Sequence, residues 1–185
     1  MTSDAHLVAH FDREGGRDVA KVTRRDGSTV SWSTPSYGGA LPHDAVHLVL
    51  ESAFGLRLGL FGLVDRGANP GAVNREVALA RRADRRPTGF GHDLDELLTA
   101  EALCAVHWYD PALGPARRRD IAARCADFGA PLPDSSALQK LGRVVVVMRA
   151  LRADFRARGE RGLVLRYRPS DPRRGLHALV RRLAG

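Results

Sequence analysis

The hydrophobic pattern of the chain first changes period at the Pro/Gly-rich connector TPSYGGAL of residues 34–41. Before it, HLVAHFD, RDVAKVTRR and STVSWS alternate apolar and polar side chains with the period of two that suits a half-buried strand. Turn-forming residues, Glu14-Gly15-Gly16 and Asp26-Gly27-Ser28, separate these runs, so three strands in an antiparallel meander are expected. Alternation places Leu7, Ala9 and Phe11 on one face of the first strand and His6, Val8 and His10 on the other. It does not decide which face meets the core.

After the connector the spacing becomes helical. Pro42 suits the first position of a helix, where its missing N–H is no loss, and Gly55 suits the left-handed residue just past a helix end, so a helix is expected over 42–55. LRLGLFGLVDRGANPG reads as a short helix followed by a turn at Asn69-Pro70. Its glycines at 59, 62, 67 and 71 lack the setting and spacing of a dinucleotide-binding loop, and no Gly-Lys-Ser/Thr follows. Further helices are predicted over 72–84, 93–109, 115–128 and 135–157, the last with Leu141, Val144, Val145, Met148, Leu151 and Phe155 in one apolar stripe. GLVLRYR reads as a fourth strand with Leu163, Leu165 and Tyr167 on one face, and a closing helix is expected from near Asp171-Pro172.

These elements describe an α+β fold: a small antiparallel sheet, made of the N-terminal three-strand meander and a late strand that rejoins it, packed against a helical layer. With 185 residues the chain is long enough for one sizeable core, and no shift in composition marks a second, so a single domain over residues 1–185 is expected. Cys104 and Cys125 are too few for a disulfide framework, and MTSDAHLVAHFDRE lacks the apolar core of a signal peptide. A cytoplasmic protein with reduced thiols is the expectation. No apolar run approaches the roughly 20 residues of a membrane span, and LGRVVVVMRAL is interrupted by Arg143 and Arg149.

A formal net charge of +8 raises nucleic acid as a partner. Only Lys21 and Lys140 are lysines, and an arginine excess beside abundant Ala, Gly, Leu and Val has the look of GC-rich coding. Arginines at 81, 82, 85 and 86, at 117 to 119, and at 173, 174, 181 and 182 are scattered over several segments, which does not favour a single nucleic-acid face.

The densest chemistry lies in LPHDAVHLVLE, residues 41–51. At about 100° per residue, Ala45, Val46, Val49, Leu50, Ala53 and Leu56 share one face of the helix and His43, Asp44, His47 and Glu51 the opposite edge. His43 and His47 are four apart, the spacing that stacks two imidazoles so they can share one ion, as in HExxH helices. Glu51 repeats the step but lies about 12 Å along the axis from His43, too far for one straight helix to bring all three to one ion easily. A plainer account is also open: Asp44 favours the helix dipole, His47 and Glu51 form an i,i+4 surface pair, and His43 is exposed.

Glu101 falls in the middle of the apolar face of the 93–109 helix, formed by Leu94, Leu97, Leu98, Cys104, Ala105 and Trp108. A carboxylate facing a core needs a partner. Arginine is the commoner one; if this helix packs on the 42–55 helix, Glu101 is the expected third metal ligand. Cys104 and His107 lack a second CxxH or CxxC and read better as a half-buried cysteine and its neighbour. Asp93, Asp95 and Glu96 beside His92 suit a helix start. No GxSxG occurs, and no serine or cysteine has a neighbouring His and Asp.

The stretch over roughly residues 35–68 resembles a group of uncharacterised bacterial proteins in which a short antiparallel sheet leads into a Leu-Pro-His-Asp helix with a second histidine and a later glutamate. Leu41, Pro42, His43, Asp44, His47, Glu51, Gly55, Leu56, Phe61 and Gly62 carry the resemblance, whereas Asp65-Arg66 stands where small apolar residues are expected. The resemblance brings no activity with it. The expectation is a divalent metal, zinc first, held by His43 and His47 with Glu51 or Glu101 completing the site, Glu101 being the choice if the two helices pack together. In a hydrolase a metal-activated water would act with Glu51 or Asp44 as base on a small-molecule or peptide substrate. The alternatives are an arginine-rich nucleic-acid-binding module and a non-catalytic protein-interaction module.

Overall fold

The computed structural model describes residues 6–38, 40–82, 94–110 and 116–168. Among these, β1 (Leu7–Glu14), β2 (Arg17–Thr23), β3 (Thr29–Pro35) and β4 (Leu163–Tyr167) form one antiparallel sheet in the order β3-β2-β1-β4. Gly15 and Gly16, with φ of 55° and 76°, make the two-residue turn that closes the first hairpin on the Glu14↔Arg17 pair. The late strand rejoins the sheet beside the first one, with Leu7 opposite Tyr167 and Phe11 opposite Leu163.

The register settles which face is the core. Ala9 pairs with both Val22 and Leu165, and Phe11 with both Ala20 and Leu163, so these side chains share one face and all are buried. His10, on the other face, is exposed. A sheet buried on one side alone is the arrangement that antiparallel pairing permits.

The helical layer comprises α1 (His43–Phe54), α2 (Leu60–Asp65), α3 (Pro70–Arg82), α4 (Leu94–Cys104), α5 (Arg117–Phe128), α6 (Ser135–Leu138) and α7 (Leu141–Ala157). Pro42 sits at the N-cap of α1, one place earlier than its expected position, and Gly55 ends the helix with φ of 75°. Every residue from Asp44 to Phe54 is buried. Contacts with α2, α4, α6, α7 and β4 surround α1, so its polar side faces protein and is not an exposed edge.

Helix boundaries differ from the sequence expectation in several places, α5 starting at Arg117 where 115 is expected. The helix predicted over 72–84 starts at Pro70, because the Asn69 side chain accepts from the Gly71 N–H at 2.9 Å and initiates it. The helix predicted over 93–109 stops at Cys104, and Trp108 reaches the core from the following turn, donating its indole N–H to the Leu103 carbonyl at 2.7 Å. Ala105, placed on the apolar face by its spacing, is exposed as a result. The helix predicted over 135–157 is broken at Gln139-Lys140, where the Lys140 ammonium donates to the Ala53 carbonyl near the end of α1, and Gly142 weakens helix propensity just beyond. The apolar stripe of α7 holds: Val144, Val145, Met148, Leu151 and Phe155 are buried. The closing helix near Asp171-Pro172, and His92 with Asp93, lie outside the described residues.

Asp65, where the resemblance called for a small apolar residue, binds Arg25 in an ion pair of 2.5 Å and ties α2 to the β2–β3 turn. Cys104 and Cys125 are free thiols. Among the described residues no helix is long and apolar enough to cross a membrane.

Candidate metal centre

Packing of α4 against α1 brings the expected residues together. His47 is 1 % exposed, and its Nε2 lies 3.4 Å from Oε1 of Glu101. The rings of His43 and His47 meet edge to face with centroids 4.9 Å apart, as their i,i+4 spacing requires. The sequence reading passed over Cys104 as a ligand. One donor atom each from His43, His47 and Cys104 lie within 4.8 Å of one another. Its signal was available: Cys104 is three residues after Glu101, so both lie on the same side of α4. His107 does not join them, since its exposed ring turns to Asp120 at 3.6 Å.

Carboxylates stand at the backs of both imidazoles. His47 Nδ1 lies 3.9 Å from Oε1 of Glu51, and His43 Nδ1 lies 4.0 Å from Oδ1 of Asp44. Asp44 is itself fixed by the Trp32 indole N–H, which donates to Oδ2 at 2.8 Å. Glu51 is fixed by the next helix: the N–H groups of Phe61 and Gly62 at the start of α2 donate to its carboxylate at 3.1 and 3.4 Å. Gly59 makes room for this, because a β-carbon there would collide with the Glu51 side chain. A second carboxylate, Glu96, accepts from the N–H of Arg57 and of Leu58 at 2.5 and 2.6 Å, holding the loop that leads into α2.

Burial dominates the electrostatics. It holds His47 well below its ordinary range, with His43 acting in the same direction. It pushes Glu51 up to about 8, against the α2 N–H groups, which favour the charged form. Asp44 is also raised by burial, opposed by His43 and by the Trp32 hydrogen bond. The Cys104 thiol is pushed well up by burial and by the surrounding carboxylates. His47 Nδ1 is buried without a hydrogen-bond partner.

A cleft of about 260 Å³ opens onto this cluster, with His43, Asp44, His47 and Glu101 on one side and Tyr37, Asn74 and Val77 among the residues facing them. The Tyr37 ring stands over His43 with centroids 5.9 Å apart. Comparison with family models, with curated proteins and with solved structures found no match.

Proposed function

We propose that the chain binds one divalent ion, zinc by its donor set, through His43, His47 and Cys104, with Glu101 at the fourth position. Two imidazoles and a thiolate are the ligands zinc favours, and ligand lengths of 2.0–2.3 Å put tetrahedral donors about 3.3–3.8 Å apart. The 3.4 Å between His47 Nε2 and Glu101 falls in that interval, and the donor atoms of His43, His47 and Cys104, which lie within 4.8 Å of one another, close by up to about 1 Å on binding. The convergence of α1 and α4 donors at the floor of an open cleft carries this reading. The unpartnered Nδ1 of His47 supports it: with Nε2 on the ion, Nδ1–H is left to face Glu51.

When bound, the ion would supply a Lewis acid at the cleft floor, the chemistry of metal-dependent hydrolysis. That chemistry needs an open position on the ion, so in it Glu101 would stand off the metal and take a proton from a nucleophile instead of serving as the fourth ligand. Asp44 and Glu51 orient His43 and His47. The arginines give the nucleic-acid alternative little support: Arg13, Arg25, Arg124 and Arg158 are paired with carboxylates, and Arg117 is buried over Trp108. Metal analysis of purified protein by mass spectrometry tests the proposal. About one zinc per chain is expected, lost in the His43→Ala/His47→Ala variant. Equal metal content in the two proteins would refute it.

A further inference from the structure

The cleft above the metal centre combines two kinds of surface. α1 and α4 supply its polar donors, whereas Pro35 and Tyr37 of the connector and Val77 and Ala78 of α3 give it apolar sides. Tyr37 is the unusual member. It is 77 % exposed, one of three large apolar side chains left so among the described residues, and its ring meets that of His43 at 61°. A lone exposed aromatic on an untethered loop would call for no explanation. Here the connector is tied on both sides of Tyr37. The Ser36 N–H donates to the Gly16 carbonyl at 3.0 Å, and Arg13 donates from Nη1 to the Gly38 carbonyl at 3.0 Å and from Nη2 to the Ala40 carbonyl at 3.2 Å. The guanidinium is itself fixed by Asp18 at 2.6 Å and by Glu160 at 3.1 Å. Glu160 holds a left-handed φ of 63°, the one such residue other than glycine among those described, and strain of that kind persists only where the surrounding structure imposes it. Two carboxylates, one of them on strained backbone, thus secure the arginine that sets the place of an exposed ring at the cleft.

We infer that Tyr37 is the specificity-determining residue of this cleft, and that the substrate is a small molecule with one aromatic ring, which lies against Tyr37, and a carbonyl head that reaches the ion. The inference rests on the metal reading above, in which the ion polarises that carbonyl. Aromatic rings prefer offset-stacked or edge-to-face neighbours, and a tyrosine already held in place loses little freedom in forming such a pair. At about 260 Å³ the cleft lies below the roughly 300–1,000 Å³ of drug-sized ligand sites, which suits one ring with a short head and leaves out an extended peptide. A quaternary ammonium would call for a cage of several rings, and Tyr37 is the only Phe, Tyr or Trp among the described lining residues.

Acetohydroxamate and benzohydroxamate, which carry the same metal-binding head on a methyl and on a phenyl group, test the inference by titration calorimetry of the zinc-loaded full chain. Benzohydroxamate is expected to bind about tenfold tighter or better, from burial of the ring and its pairing with Tyr37. In Tyr37→Ala the preference should fall to about threefold or less, the share left to the aliphatic walls, with acetohydroxamate affinity unchanged. Tyr37→Phe should keep the parent's preference, because the ring and not the hydroxyl is used. Failure of zinc-loaded protein to bind benzohydroxamate, equal binding of the two probes, or a preference that survives intact in Tyr37→Ala would each overturn the inference and leave the metal reading standing. A chain that takes up no zinc would overturn both.

Discussion

Nδ1 of His47 lies 3.9 Å from Oε1 of Glu51, and both side chains are shut off from solvent. In the metal-free protein this pair sets an unusual pH dependence. Glu51 titrates near 8 in the folded chain against 4.5 ordinarily, so above pH 4.5 the unfolded chain has released a proton that the folded chain keeps. The unfolded state then binds fewer protons, and stability falls as pH rises towards 8. His47 acts oppositely below its ordinary 6.5, because the unfolded imidazole takes a proton that the buried one refuses. The two slopes offset each other between pH 4.5 and 6.5. From pH 6.5 to 8 only Glu51 acts, and metal-stripped protein should lose about 2 kcal/mol in urea unfolding. Glu51→Gln should remove that slope and weaken zinc binding about 10- to 100-fold.

Cobalt substitution separates the ligands on α4. With Cys104 bound, cobalt-loaded protein should show an intense thiolate-to-metal charge-transfer band, and Cys104→Ser should abolish it. Glu101→Gln should leave the band in place while lowering affinity, since its carboxylate is 3.4 Å from His47 Nε2 and on the cleft side.

The glycines around α2 give a stability test independent of metal. A β-carbon at Gly59 would lie 2.6 Å from Oε1 of Glu51, and one at Gly62 would strike the Arg57 carbonyl, which is backbone and cannot swing away. Gly59→Ala should cost about 1–3 kcal/mol and Gly62→Ala at least as much. Gly142→Ala, with open space around the new methyl, should stabilise α7 by roughly 0.5 kcal/mol. Chemical denaturation of the three variants measures all of this.

Local pattern and long-range packing were unequally legible in the sequence. Alternation located β1 to β4, and Pro42 with Gly55 bracketed α1 to within a residue, because these signals act between near neighbours. Burial of the polar side of α1 could not be read that way, since it depends on α4 arriving from forty residues later. The odd carboxylate on an apolar helix face, Glu101, was the one trace of that contact, and it led to His47. Cys104 was missed because sulfur on an apolar stripe looks like core. The break at Lys140 was missed because the partner that holds it, the Ala53 carbonyl, is 87 residues away in sequence.

The metal centre itself is tested most directly by crystals of the protein grown with zinc and measured at the zinc absorption edge. One anomalous peak is expected at about 2.0–2.3 Å from a nitrogen of His43, a nitrogen of His47 and Sγ of Cys104, with a Glu101 oxygen next to it. No peak between α1 and α4, or zinc bound only at surface residues, would contradict the account.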